Sequence, residues 1–255
     1  MGIFRFKRFE VRNDLSAMKV NTDGVLLGAV TEVFPRDRHV LDVGTGTGTV
    51  ALMVAQRLEA VAESGCWMIQ GIDVDAPSVQ EASENFSHSP WWDHLSALGT
   101  GLRSFASCGP VPEGGYDIIV SNPPYYDNSL NAPDARRNSA RHTGGGGAPA
   151  GTESLSYRDI LEYSSQALSE LGRVSLILPS DQEKALIRYA GMCGFVPWKL
   201  LRIKSVERKP VSRLIVRFVR KGRGVGAPLE ETLTLLDEKG KRTSQHASLI
   251  TDYYL

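Results

Sequence analysis

The segment Leu41-Asp42-Val43-Gly44-Thr45-Gly46-Thr47-Gly48 decides the fold class of this chain. The apolar run that ends in it, from His39 to Val43, predicts a short strand, and the apolar run from Thr49 to about Glu59 predicts a helix directly after the glycines. A second strand, from Trp67 to Asp73, leads into another helical stretch. Strands that alternate with helices in this way predict a parallel sheet with right-handed crossovers.

The remaining apolar runs extend the same pattern. We expect strands from Tyr116 to Val120 and from Arg173 to Leu178, and a helix from Tyr157 to Leu171. Two late runs, from Trp198 to Ile203 and from Arg213 to Val219, can pair as an antiparallel hairpin. The predicted fold class is therefore α/β and Rossmann-like, with a seven-stranded, mostly parallel sheet, an antiparallel last strand and helices on both faces.

The composition is that of an ordinary globular chain, and we expect one domain over residues 1–255. With 42% hydrophobic and 23% charged residues, wholesale disorder, a collagen helix and a coiled coil are excluded. No apolar run approaches the roughly 18 residues of a membrane span. The three cysteines, Cys66, Cys108 and Cys193, lack CxxC spacing, which is typical of a reducing compartment and of neither a disulfide framework nor a zinc site. We therefore expect a cytoplasmic protein with no membrane segment and no metal ion.

The net charge of zero conceals one strongly basic stretch. Twenty-nine basic residues balance 29 acidic ones, but ten basic residues lie between Lys199 and Arg223 with Glu207 as the only acid. Such a run is either a solvated face or a surface for nucleic-acid backbone. The first dozen residues interleave basic side chains with Phe4, Phe6 and Phe9, which indicates either a stacking surface for bases or an edge strand of the core.

The glycine spacing indicates which ligand the first turn binds. A dinucleotide fingerprint is GxGxxG, whereas these glycines read GxGxG, and Asp42 precedes the first by two residues. A carboxylate there would repel a pyrophosphate but suits the ammonium and sulfonium groups of S-adenosylmethionine. Asp73, at the end of the second strand, can accept hydrogen bonds from both ribose hydroxyls. The alternative is a structural glycine turn with an incidental aspartate.

Asn122-Pro123-Pro124-Tyr125 follows a predicted strand and is the most specific motif in the chain. An amine conjugated to a heteroaromatic ring or an amide is a poor nucleophile. The Asn122 side-chain oxygen and a backbone carbonyl, fixed in direction by the two prolines, can each accept one of its N–H groups and aim its lone pair at an electrophile. Tyr125 would stack on the planar group. The alternative is a Pro-Pro turn at an edge strand.

These motifs resemble those of the class I amino-methyltransferases with an NPPY motif, and within them the bacterial tRNA1(Val) adenine-37 N6-methyltransferase family. The resemblance covers nearly the whole chain. It rests on Ser16-Ala17-Met18-Lys19-Val20-Asn21-Thr22-Asp23-Gly24-Val25-Leu26-Leu27-Gly28-Ala29, Leu41-Asp42-Val43-Gly44-Thr45-Gly46-Thr47-Gly48, Gly71-Ile72-Asp73-Val74-Asp75, Ser121-Asn122-Pro123-Pro124-Tyr125-Tyr126 and Ala140-Arg141-His142-Thr143.

The resemblance implies methyl transfer from S-adenosylmethionine to the N6 amine of adenine 37 in a valine tRNA. Residues 1–35 would cover the cofactor. Within this segment, residues 21–30 predict the start of a helix that Thr22 can cap. After the third strand, Ser104 is the candidate for contacting the cofactor adenine. Catalysis is assigned to Asn122, Pro123, Pro124 and Tyr125. Cofactor binding is assigned to Lys19, Thr22, Asp23, Asp42, Gly44, Thr45, Gly46, Gly48, Asp73, Val74, Ser104 and Asn122.

A tRNA substrate also requires a surface that grips the RNA backbone. The basic hairpin, residues 195–223, is the preferred candidate, together with the residues that follow the NPPY strand. The individual candidates are Arg141, His142, Arg202, Lys204, Arg208, Lys209 and Arg213. The glycine-rich stretch at 143–153 predicts a flexible loop, in which Gly144 to Gly151 are an insertion relative to the family pattern. We expect a monomer.

Three other functions are compatible with part of this interpretation. A protein-glutamine methylase of release-factor type uses the same NPPY chemistry, but such enzymes carry a helical domain ahead of the glycine loop, where this chain has only about 40 residues. A ribosomal RNA guanine-N2 methylase would have Phe after NPP and a duplicated domain. An RNA-binding module with a relic cofactor site is disfavoured because Asp42, Asp73 and Asn122 are all present.

Overall fold

The computed structural model describes residues 2–62, 65–124 and 155–254. The described strands and helices are, in chain order, β1 (Ile3–Arg5), β2 (Glu10–Arg12), α1 (Thr22–Val30), β3 (His39–Val43), α2 (Thr49–Val61), β4 (Met68–Asp73), α3 (Ala76–Ser87), β5 (Leu95–Gly99), α4 (Leu102–Cys108), β6 (Tyr116–Ser121), α5 (Tyr157–Ala167), β7 (Leu168–Pro179), α6 (Glu183–Met192), β8 (Phe195–Val206), β9 (Arg213–Arg220), β10 (Leu229–Leu236) and α7 (Ser244–Ile250).

The main sheet has the strand order β10-β8-β9-β7-β6-β3-β4-β5. Strands β7, β6, β3, β4 and β5 are mutually parallel, β9 is antiparallel to both of its neighbours, and β10 is parallel to β8. The predicted fold class is confirmed, with one strand more than the seven expected. The extra strand, β10, lies at the edge of the sheet, and Leu233 is its one fully buried residue.

The other predicted elements differ from the structure mainly at their ends. The expected hairpin forms, with Leu200 opposite Val216. The helix expected up to Leu171 ends at Ala167, because Leu168 already pairs with Tyr116 of β6 and starts the long strand β7. At the start of α1 the cap is Asn21, whose side chain accepts from the Gly24 amide at 2.9 Å, and Thr22 is the first helical residue.

The core consists of two apolar layers, one on each face of the sheet. Along β3, Val40 belongs to the layer with α1 and α2, whereas Leu41 and Val43 belong to the layer with α5 and α6. The small β1–β2 sheet packs on the first layer through Phe6 and Phe9, whose rings stack 4.5 Å apart. Both rings are buried and form an edge of the core, and the partly buried Phe4 packs against Phe6 and Tyr254.

A buried ion pair ties β7 to the loop that follows α1. Arg173 and Asp37 are each only 1% exposed, and Arg173 also donates to the Glu32 carbonyl. In residues 2–62, 65–124 and 155–254, no helix is long and apolar enough to cross a membrane. The same residues contain no group of three or more His, Cys, Asp or Glu side chains that could hold a metal ion.

Candidate active site

A cleft of about 300 Å³ lies at the carboxyl ends of β3, β4, β5 and β6. This is the edge of an open α/β sheet at which ligands bind. The described residues that line it are Ser16, Ala17, Met18, Val43, Gly44, Gly46, Ile72, Asp73, Val74, Asp75, Ser78, Thr100, Gly101, Leu102, Arg103, Asn122, Pro124, Leu155 and Asp159.

The glycine turn between β3 and α2 requires glycine for steric reasons. Gly44, Gly46 and Gly48 have φ values of +72°, +54° and +79°, a region that other residues rarely adopt. At Gly48, which caps α2, an added Cβ would also lie 2.4 Å from a ring carbon of Phe86. The Gly44 amide donates to the Ile72 carbonyl at 2.8 Å, which holds the turn against β4. Gly44 and Gly46 thus bring bare backbone to the wall of the cleft.

Asp73 lies in the cleft wall at the end of β4. Its two carboxylate oxygens accept from the Gly46 and Asp75 amides at 2.9 and 3.0 Å, which orients the carboxylate across the turn. Burial raises the pKa of this carboxyl, and the two amide hydrogen bonds oppose that rise. A fixed carboxylate beside a glycine turn is well placed to accept hydrogen bonds from a ribose diol.

Asp42 lies beneath the turn and not in the cleft wall formed by the described residues. It is 1% exposed, and it accepts from the Thr45 hydroxyl at 2.8 Å. Burial raises the pKa of Asp42 to about 7, against the effect of the Thr45 hydrogen bond, and the nearby charge of Asp73 raises it further. The side chain therefore shapes the turn from below.

The segment before α1 contributes residues to the cleft that sequence reasoning had passed over. Ser16, Ala17 and Met18 line it, whereas the Lys19 ammonium donates to the Asp14 carbonyl at 2.7 Å. The described residues that line the cleft do not include Lys19, Thr22 or Asp23. All six residues belong to the sequence block from Ser16 to Ala29. Only the tertiary contacts show which of them line the cleft.

Asp23 is instead paired with the basic hairpin. Its carboxylate accepts from Arg213 Nε at 2.8 Å. This ion pair joins the start of α1 to the start of β9, and it links a residue expected at the cofactor with one expected at the RNA. The structure therefore brings the two predicted surfaces next to each other.

The far end of the cleft is formed around the start of α4. Thr100, Gly101, Leu102 and Arg103 line it, while Ser104 is exposed and lies outside the described wall. Asp159 reaches the same end from α5, and its carboxylate accepts from Arg103 at 3.1 Å. Sequence reasoning missed Leu102 and Arg103, and the only signal for them is their place just after the third parallel strand.

Asn122 and Pro124 line the cleft opposite the glycine turn. Ser121 donates to the Val43 carbonyl at 2.7 Å, which holds the end of β6 beside β3. The Asn122 amide nitrogen lies 3.8 Å from the Met18 sulfur, so the motif also contacts the N-terminal segment. Pro123, between them in the chain, is buried. Tyr125, Arg141, His142 and the predicted loop at 143–153 all lie in residues 125–154, outside the described residues.

The basic hairpin is largely held in ion pairs. Arg202 bonds to Glu183 and Glu230, which raises the pKa of its guanidinium. Lys204 pairs with Glu207 at 2.9 Å. Arg208 is 74% exposed in its side chain and lies 3.5 Å from Glu238. Lys209 is exposed in the turn between β8 and β9.

The fold and the cleft define a class I S-adenosylmethionine-dependent methyltransferase. Residues 20–141 match the family Methyltransferase small domain. A crystal structure of a predicted O-methyltransferase from Agrobacterium tumefaciens superimposes with a TM-score of 0.65 at 15% identity, over 91% of this chain and 96% of that one. The ribosomal protein L11 methylase of Lactobacillus delbrueckii has a TM-score of 0.53 at 17% identity, over 83% of this chain and 84% of that one.

Full-length relatives identify the family within that class. A tRNA1(Val) (adenine(37)-N6)-methyltransferase of Parabacteroides distasonis is 36% identical over 99% of this chain and 97% of its own length. The enzyme of that name from Flavobacterium johnsoniae is 33% identical over 99% of both chains, and that of Vibrio parahaemolyticus is 37% identical over 85% of this chain and 82% of its own. The chain belongs to the tRNA1(Val) (adenine(37)-N6)-methyltransferase family.

The cleft residues fit the cofactor of the class, S-adenosylmethionine. A carboxylate, Asp73, stands beside bare glycine backbone, and the apolar side chains of Ile72 and Leu102 offer a surface for a purine. The volume of the cleft lies at the lower end of the range for small-molecule sites, roughly 300–1,000 Å³.

Proposed function

We propose that the protein transfers the methyl group of S-adenosylmethionine to the N6 amine of adenine 37 in tRNA1(Val). The observation that carries the proposal is the meeting of two motifs in one cleft: Asn122 and Pro124 line the cavity that Asp73 and the glycine turn also line. The full-length relatives bear the name of this reaction. The substrate would be met in the cytoplasm, by a monomeric, single-domain enzyme.

Backbone and carboxylate groups would hold the cofactor. The bound cofactor supplies an electrophilic methyl group on a sulfonium. Gly44 and Gly46 admit it close to the backbone, and Val74 flanks it. Asp73, whose carboxylate is already oriented by two backbone amides, would accept hydrogen bonds from the ribose hydroxyls. Asp42, Thr45 and Gly48 maintain the conformation of the turn. The other predicted cofactor residues, Lys19, Thr22, Asp23 and Ser104, lie outside the described cleft wall.

Asn122 would prepare the amine for attack. Its side-chain oxygen and the backbone carbonyl of Pro123 each accept one amine N–H, which draws the nitrogen lone pair out of conjugation and points it at the methyl group. A sulfonium is already activated, so alignment supplies most of the rate and no strong base is needed. Stacking of the adenine on Tyr125 remains a prediction.

The hairpin turn would lie against the RNA. Ser121 at the end of β6 pairs with Leu176 of β7, and Pro179 at the end of β7 pairs with Arg213 at the start of β9. The β8–β9 turn, residues 207–212, therefore lies at the same sheet edge as Asn122. Arg208 and Lys209 in that turn are the most exposed of the predicted RNA contacts in the hairpin.

Arg202, Lys204 and Arg213 would contribute differently from the turn. Each is partly buried and held in a close ion pair with an acidic side chain, with which phosphate would have to compete, whereas Arg208 is 74% exposed and lies 3.5 Å from Glu238. We therefore assign the turn the main share of backbone contacts. Arg141 and His142 stay predictions, because they lie outside the described residues.

The test is methyl transfer from labelled S-adenosylmethionine to tRNA1(Val) transcript, with nucleoside analysis of the product. We expect N6-methyladenosine at position 37 and no transfer to a transcript with guanine there. Asn122→Ala should lower kcat by about 100- to 1,000-fold while cofactor affinity, measured by calorimetry, stays nearly unchanged. Labelling of ribosomal RNA or of a release factor in place of tRNA would overturn the substrate assignment, and parallel loss of cofactor affinity would overturn the role of Asn122.

A further inference from the structure

The N-terminal wall of the cleft is held in place from α3 by one buried carboxylate. Glu81 is 1% exposed. One of its oxygens accepts from the amides of Asp14 and Leu15 at 2.5 and 2.8 Å, and the other accepts from the amide of Ser16 at 2.9 Å. Three successive backbone N–H groups thus converge on a single side chain 65 or more residues away in the sequence.

This arrangement orders the segment as well as stabilising the charge. A buried carboxylate is costly unless hydrogen bonds compensate it, and the three amides supply that compensation. In return the carboxylate fixes three consecutive peptide planes, because each N–H must point at it. A helix side chain with its own backbone already hydrogen-bonded therefore sets the path of an otherwise irregular segment.

The segment so held continues directly into the cleft wall. The Ser16 hydroxyl accepts from the Ser78 hydroxyl at 2.8 Å and donates to the Met18 carbonyl at 3.1 Å. Met18 in turn lies against Asn122. Ser16, Met18 and Ser78 all line the cleft. The contacts thus run without a gap from Glu81 to the residue proposed to hold the amine.

We propose that Glu81 is a positioning residue for the cofactor site: it does not line the described cleft, and it holds residues 14–18 in the conformation that binds S-adenosylmethionine. This inference rests on the proposed function of the cleft. It assigns to Glu81 a share of cofactor affinity and none of the chemistry, which remains with Asn122.

The test compares Glu81→Gln with Glu84→Gln in the full chain. Glutamine keeps one accepting oxygen but presents an NH₂ group to an amide that needs an acceptor. Glu84 lies on the same helix and pairs with Arg12 of the same N-terminal region, but its side chain is partly exposed, and the amides of residues 14–16 donate to Glu81 instead. Amide hydrogen exchange of the cofactor-free proteins, cofactor Kd by calorimetry, and separate KM and kcat values are measured for both.

In Glu81→Gln we expect faster exchange at Asp14, Leu15 and Ser16, and a Kd and KM for S-adenosylmethionine raised by about tenfold, with kcat at saturating cofactor and KM for tRNA within about twofold of wild type. Glu84→Gln should match wild type in all five of these quantities. Wild-type cofactor affinity in folded Glu81→Gln would overturn the inference, as would equal loss in every kinetic constant.

A further variant covers the case in which Glu81→Gln does not fold. Glu81→Asp keeps the charge but shortens its reach by one methylene, and it should show the same cofactor-specific loss at a smaller size. A folded Glu81→Asp protein with wild-type exchange and Kd would overturn the inference. Failure of the wild-type protein to bind S-adenosylmethionine would instead refute the proposed function, so the two failures are distinguishable.

Discussion

Replacing Asp42 with asparagine should remove a pH-dependent loss of stability. In the folded protein this carboxyl is 1% exposed and its pKa is raised by burial from 3.8 to about 7. The unfolded chain therefore releases the proton at a lower pH than the folded one. Below pH 4 the carboxyl is protonated in both states and costs nothing, and as the pH rises towards 7 the folded state is penalised progressively.

The size of the effect follows from that difference in pKa. Each pH unit between the two values costs about 1.4 kcal/mol, so roughly three units amount to about 4 kcal/mol, fully expressed above pH 7. The introduced asparagine carries no titrating group and can still accept from the Thr45 hydroxyl through its oxygen. Between pH 5 and pH 8, the stability of Asp42→Asn relative to wild type should rise by about 2.5 kcal/mol.

Urea unfolding of both proteins at pH 5 and pH 8 measures this change, because the titrations of groups that do not interact with Asp42 cancel in the difference. A difference that stays constant within about 0.5 kcal/mol between the two pH values would refute the reasoning, since the carboxyl would then be ionised in the folded protein. Cofactor affinity adds a second check: Asp42→Asn should weaken S-adenosylmethionine binding less than Asp73→Asn does. Equal weakening would put Asp42 in direct contact with the cofactor.

Two further pairs of variants test the packing of the fold. Gly48→Ala should destabilise the protein by about 2 kcal/mol or more, because φ is +79° and the new Cβ would lie 2.4 Å from Phe86, whereas Gly114→Ala, at a φ of +80° with nothing within 4 Å, should cost about 1 kcal/mol. Equal losses in urea unfolding would show that the contact with Phe86 is unimportant. Arg173→Met should cost about 3–5 kcal/mol because it leaves the carboxylate of Asp37 buried without its partner. Adding Asp37→Leu should restore most of that loss, and a double variant no more stable than the single one would contradict this account.

Local sequence pattern determined the central part of the fold. The runs around β3, β4 and β6 are apolar and short, and the glycines and prolines that end β3 and β6 have conformational demands of their own. Such signals lie within a few residues of one another, so they can be read without knowing the rest of the chain. For the same reason Asp73 and Asn122 could be placed at one edge of the sheet, because parallel strands end together.

The tertiary structure alone decided which residues of each motif face the cleft. Asp42 is turned beneath the glycine loop, and Asp23 is paired with Arg213, which is 190 positions away in the sequence. Strand β10 joins the main sheet by pairing with β8. Glu81 acquires its role from three amides of a distant segment. Burial and pairing between distant segments depend on the whole fold, and no local pattern of residues encodes them.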